Sequence, residues 1–443
     1  MNKTIRAAMG ATALCALAGT ALAQDSVTLT IATVNNGDMI RMQSLSDEFT
    51  AQHPGIKLEW VTLEENVLRQ RVTTDVATSG ASHDAQYDVV TVGTYEVPIW
   101  ARQGWLVPLN DLPAEYDVDD LLPAIRNGLT IDGELFAAPF YGESSMVMYR
   151  KDLMEKAGLE MPDAPSWDLI KQAAAAMTDK DNEVYGICLR GKAGWGENVA
   201  FLSAMANSYG ARWFDENWTP QFDSEPWRNT LTDYLDLVTN YGPPGAASNG
   251  FNENLALFQQ GKCGMWIDAT VAASFVTNPD ESTVADQVGF ALAPDNGLGK
   301  RGNWLWAWTL GIPAGSQHAD AAKQFVAWAT SKEYTALIAE NEGWANVPPG
   351  TRKSLYDNPE YQKVPFAKMT LESIMAADPI NPTVDPVPYT GVQFVAIPEF
   401  QGIGTLVGQQ FSAALAGQVS AEQALQNAQQ LTTREMTRAG YIK

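Results

Sequence analysis

Val27, Leu29 and Ile31 alternate with Thr28, Thr30 and Ala32, the two-residue period of a half-buried strand. Asn35-Asn36-Gly37-Asp38 breaks that period. Met39, Met42, Leu45 and Phe49 then recur near helical spacing until Pro54-Gly55 stops them. Ile56, Leu58 and Trp60 mark a second strand. Glu64 to Thr78 reads as an amphipathic helix, with Val67, Leu68, Val72 and Val76 on one side. Tyr87 to Val92 is largely apolar, as expected of a strand covered on both faces of a parallel sheet. The opening therefore reads β-α-β-α-β, and strands alternating with helices predict an α/β sheet of mostly parallel order.

Beyond it the pattern changes. Asp132-Gly133 is a hairpin-type turn. Residues 135–138 and 145–149 are strand-like and flank a predicted turn, Pro139-Phe140-Tyr141-Gly142-Glu143-Ser144. Ser166 is a predicted N-cap before Trp167. Further strands are predicted at 185–190, 287–292 and 304–312, with a helix-strand-helix unit over 252–276. Helices are predicted near 198–209, 226–240, 319–330, 332–341, 365–376, 399–416 and 420–438. No internal repeat is evident.

The amino terminus sets the compartment. Lys3 and Arg6 precede a small-residue apolar stretch, and Ala21-Leu22-Ala23 offers a cleavage site. Residues 1–23 are thus expected to be a secretory signal peptide, which places the mature protein in the periplasm. The 443 residues carry 29 Lys and Arg against 52 Asp and Glu, a net charge of −23, and loss of Lys3 and Arg6 takes it to −25. This charge argues against nucleic acid, whose phosphates need clustered cations, and against an anionic membrane surface. Two cysteines follow the signal segment, Cys188 and Cys263. A disulfide and two buried thiols are both compatible with their apolar surroundings.

Catalytic signatures are missing from the sequence. It has no G-x-S-x-G, H-E-x-x-H or G-x-x-x-x-G-K-[ST], and its three histidines are scattered. No metal and no cofactor is expected. A paired-carboxylate hydrolase of carbohydrates is the alternative reading, but among 52 acids some pair at a suitable spacing arises by chance. More informative is the coincidence of aromatics and acids at predicted strand ends and turns: Thr94-Tyr95-Glu96, Tyr141 with Glu143, Trp195-Gly196-Glu197-Asn198 and Trp266-Ile267-Asp268. Trp304, Trp306 and Trp308 alternate on one strand face, where Trp308 is read as core. Aromatic faces pack on C–H groups, and carboxylates, amides and an arginine organise hydroxyls, so these residues suit a small, neutral, polyhydroxylated ligand.

Several segments, in this order, resemble the extracellular solute-binding proteins of ABC transporters of the maltose-binding type. They are Asp88-Val89-Val90 through Gly104-Trp105-Leu106-Val107-Pro108-Leu109, Pro139 to Glu143 with Met148 to Leu153, Phe258-Gln259-Gln260-Gly261-Lys262-Cys263-Gly264-Met265, and Gly311-Ile312-Pro313 with Ala321 to Phe325. Asn35 to Met39, Leu63 to Arg71 and Gly93 to Pro98 are similar to members serving sorbitol/mannitol transporters. The resemblance implies a two-lobed α/β periplasmic binding protein fold of type II, with a hinge and a ligand cleft. The N-lobe would comprise 24–139 and 289–341, and the C-lobe 140–288 and 342–443. It also implies a monomer that takes a polyol or monosaccharide and delivers it to membrane permease subunits. By motif, Glu143 matches the family's hinge acid, Trp266 its stacking aromatic and Tyr95 a polar contact. Position and chemistry add Asn36, Glu65, Thr94, Glu96, Tyr141, Arg190, Trp195, Asn198, Asp268, Trp304, Trp306, Asn346 and Tyr389.

Overall fold

The computed structural model describes residues 26–80 and 82–443, so the expected signal segment lies outside the described residues. Among the described residues, ten strands form three sheets: β1 Val27–Val34, β2 Ile56–Leu63, β3 Val89–Gly93, β4 Thr130–Ile131, β5 Glu134–Leu135, β6 Ala137–Glu143, β7 Ser145–Arg150, β8 Met265–Ala269, β9 Val288–Leu292 and β10 Trp306–Gly311. The larger sheet has the order β2-β1-β3-β10-β6, and β4 and β5 form a hairpin. β1 pairs parallel with β2 and β3, whereas β10 runs antiparallel to β3 and β6. β3 is buried along its whole length, as its apolar run predicts. The second sheet, β8-β7-β9, is antiparallel throughout.

The five-stranded sheet and the β8-β7-β9 sheet each organise a lobe, and the chain passes between them by crossings. The first comes at Ser144, between β6 and β7, rather than near residue 140. The residues expected to form a turn, Pro139 to Glu143, are instead strand β6. Proline is tolerated there because β6 is an edge strand, where a missing N–H leaves no ladder partner unsatisfied. β9 pairs with β7, so the return to the first sheet follows Leu292 rather than beginning at 289. A third crossing brings Gly350 against Gly142. A Cβ on Gly142 would lie 2.2 Å from the Gly350 carbonyl oxygen, so both positions need glycine for the two backbones to touch.

Two other expectations change. The first helix is broken at Leu45 into Gly37–Ser44 and Ser46–Gln52. Residues 185–190 are not a strand: their backbone pairs with the β8 region through two isolated parallel bridges, Tyr185↔Cys263 and Cys188↔Trp266. The backbone between them turns to helix 225–241 instead, where the Ile187 N–H donates to the Tyr241 carbonyl. At this seam Cys188 and Cys263 form a disulfide, their Cα atoms 5.8 Å apart.

The second lobe is built around helix Asn198–Ser208, which is buried on every side. Helix Phe400–Leu415 packs against it, and helix Ala421–Ala439 follows as an amphipathic outer layer. Among the described residues no helix is long and apolar enough to cross a membrane.

Candidate functional site

Strands β6 and β10 supply the floor of the site. Their register sets Trp306 opposite Glu143 and Trp308 opposite Tyr141, so two aromatics, a phenol and an acid share one face. Asn36 begins helix Gly37–Ser44 but does not cap it. Its amide instead donates to the Tyr141 hydroxyl at 3.0 Å.

Helix Glu65–Ser79 contributes one wall. Glu65 and Arg69 lie one turn apart and pair at 2.9 Å, and Arg69 also donates to Glu96 at 2.6 Å. The guanidinium sits 4.0 Å from the Trp195 ring centroid, 4.6 Å from that of Trp308 and 4.9 Å from that of Trp306. Burial works against its charge, yet the two carboxylates more than offset this, and the Arg69 pKa rises.

The second lobe supplies the opposite wall. Arg190 grips Asp268 with two hydrogen bonds of 2.6 and 2.9 Å and also donates to the Gly196 carbonyl at 2.9 Å. The Trp266 indole donates to the same Asp268 at 3.1 Å. Gly196 meets the first lobe directly: a Cβ there would come within 2.3 Å of a Glu65 carboxylate oxygen.

These walls close on a narrow cavity of about 30 Å³. Its cations are already neutralised by neighbouring acids. Left over are groups without protein partners. The indole N–H groups of Trp195, Trp304 and Trp306 are buried and unpaired. Glu143 is buried on the cavity wall with no protein hydrogen bond among the described residues. Burial holds its carboxyl well above the usual carboxylate range, with Arg190 pulling the other way.

Of the residues singled out from sequence, Asn36, Glu65, Tyr141, Glu143, Arg190, Trp195, Trp304 and Trp306 line this cavity. The others stand behind it or away from it. Glu96 anchors Arg69, while Asp268 and Trp266 anchor Arg190. The Tyr95 hydroxyl donates to the Ile397 carbonyl at 2.8 Å, and Asn198 donates to the Gly408 carbonyl at 2.9 Å. Asn346 accepts from Arg41, and Tyr389 accepts from the Trp213 N–H. Thr94 is half-buried, with its methyl next to Gly128 and its hydroxyl oxygen buried.

Arg69, Phe251, Trp308 and Gln393 also line the cavity, with four small residues around them. Arg69 had a signal, its helical spacing from Glu65. Trp308 shared the alternation of Trp304 and Trp306. Gln393 had none. It lies in an irregular stretch and is held in place by reciprocal hydrogen bonds with the Leu305 backbone.

Two α/β lobes closing on an enclosed cavity whose arginines are paired with acids define a solute-binding protein of the two-lobed periplasmic type. The chain belongs to the bacterial extracellular solute-binding protein family, which matches residues 36–336. A mannitol-binding protein of Pseudomonas aeruginosa is 56% identical over 443 residues, covering 100% of both chains. An ABC transporter solute-binding protein of Agrobacterium vitis S4, solved with bound D-mannitol, is 73% identical with a TM-score of 0.92 over 94% of this chain and 100% of that one. Another from Agrobacterium radiobacter K84, in complex with ribitol, is 26% identical with a TM-score of 0.81 over 93% and 99%.

Proposed function

We propose that this protein is the periplasmic binding subunit of an ABC importer, that it captures an acyclic polyol such as D-mannitol, and that it hands the ligand unchanged to the permease as a monomer. The observation that carries this reading is the set of unpartnered groups in a cavity whose arginines are already paired with acids. Three indole donors and one carboxyl await partners. A neutral chain of hydroxyls supplies both donors and acceptors without adding charge. The polyols bound by the two solved relatives agree with it. The lobe assignment that goes with it is residues 26–143 with 306–341, and 145–292 with 357–443, the intervening stretches being crossings.

A hydrolase with paired carboxylates finds less support. Glu65 is engaged by Arg69 and Asp268 by Arg190, so Glu143 has no second free carboxylate facing it across the cavity among the described residues.

Calorimetric titration with mannitol, sorbitol, arabitol, xylitol, glucose, fructose and maltose tests the reading. Tight binding confined to alditols is the expected outcome, with mannitol recovered intact. A response to maltose alone would overturn it.

A further inference from the structure

We propose that Arg69 and Trp195 together form a partition that limits the ligand to a single acyclic chain with free ends. This inference rests on the polyol reading of the cavity. A second space lies beside the cavity, a groove of about 910 Å³ open to solvent. It runs between helix Glu65–Ser79 of the first lobe and helices Phe400–Leu415 and Ala421–Ala439 of the second. Two residues line both spaces, Arg69 and Trp195. What separates the enclosed cavity from the open groove is therefore one side chain from each lobe, stacked with the guanidinium 4.0 Å from the indole centroid.

The partition is held on both sides. Glu65 and Glu96 fix the guanidinium. Tyr95, Trp306 and Phe400 pack around the Trp195 ring, with centroid separations of 4.8, 5.9 and 6.2 Å. Because its two halves come from opposite lobes, the wall is completed when the lobes close. Beyond it the groove offers neutral hydrogen-bonding side chains, including Gln70, Thr73, Gln401 and Thr405. These are groups that a further hydroxylated ring would use. The fold thus has room for a second sugar unit, and two side chains withhold it.

D-Mannitol is two-fold symmetric, so its ends are equivalent and a substituent on either can be directed at the partition without changing the other hydroxyls. The test compares D-mannitol with 1-O-α-D-glucopyranosyl-D-mannitol by calorimetry, in the wild type and in Arg69→Ala and Trp195→Ala. The wild type is expected to bind mannitol and to reject the glucoside by about a hundredfold or more. Each variant is expected to weaken mannitol binding while lowering that ratio by at least about tenfold. An unchanged ratio in variants that melt cooperatively would overturn the partition. Should both variants fail to fold, the wild type alone decides: glucoside binding within about tenfold of mannitol overturns the proposal, and rejection supports it. Failure of the wild type to bind mannitol at all would instead sink the polyol reading.

Discussion

Glu143 concentrates the chemistry of the site in one carboxyl. It is desolvated, opposed by Arg190 across the cavity, and has no protein hydrogen bond among the described residues. Glu143→Ala is expected to weaken mannitol binding by about five- to 150-fold, the ~1–3 kcal/mol of a buried hydroxyl left unpaired. Calorimetry checks this, with a cooperative melt showing that the variant still folds. Glu197 makes a pH prediction. Burial first, and Glu65 next, push its carboxyl up to about 7, against Arg190 and Lys192. From about pH 4.5 to 7 the folded chain keeps a proton that the unfolded chain has released, so stability falls as pH rises through this window. Asp38, raised by burial to about 6, acts in the same direction. Glu197→Gln should flatten the decline by at most one proton, ~1.4 kcal/mol per pH unit, in urea titrations at pH 5 and 7. An unchanged slope would remove Glu197 from that role.

At the scale of elements, function depends on how β6 leaves its sheet. Its face carries Tyr141 and Glu143, and the next residue begins the crossing to the second lobe. Gly142, between them, abuts Gly350 of another crossing and donates its N–H to the Pro349 carbonyl. Gly350 has φ of +73°, and a Cβ there would lie 2.0 Å from the Gly142 oxygen. Gly350→Ala should therefore lose more than the ~1–2 kcal/mol of a left-handed residue alone. A lower urea midpoint with an unchanged slope would register the loss. A wild-type midpoint would show that the two crossings separate freely.

At the scale of the molecule, two lobes of unlike sheet order share one cavity, and the disulfide belongs to only one of them. It closes a 75-residue separation between Cys188 and Cys263 within the second lobe. Replacing both cysteines by serine is expected to cost ~4 kcal/mol by loop entropy. Chemical denaturation should show this while mannitol affinity stays near that of the wild type, because neither cysteine lines the cavity. A large loss of affinity with little loss of stability would contradict this division of roles. In the cavity the buried arginines are matched by acids from their own lobe.

The sequence by itself determined the α/β character, most element positions and the residue types of the site. Those depend on local periodicity and on side-chain chemistry, both readable a few positions at a time. Glu65, Tyr141, Glu143, Trp304 and Trp306 stood out for that reason. The tertiary structure decided which of them meet. Asn36 bonds Tyr141 across 105 positions, and Arg190 finds Asp268 across 78. Such pairings depend on sheet order and on packing within each lobe, which no local pattern encodes. The same long-range geometry turned Asp268, Trp266 and Glu96 from candidate contacts into supports for two arginines. It made a strand of the Pro139–Glu143 stretch, because only the assembled sheet makes that strand an edge. It also drew in Arg69, whose role requires a tryptophan from the other lobe.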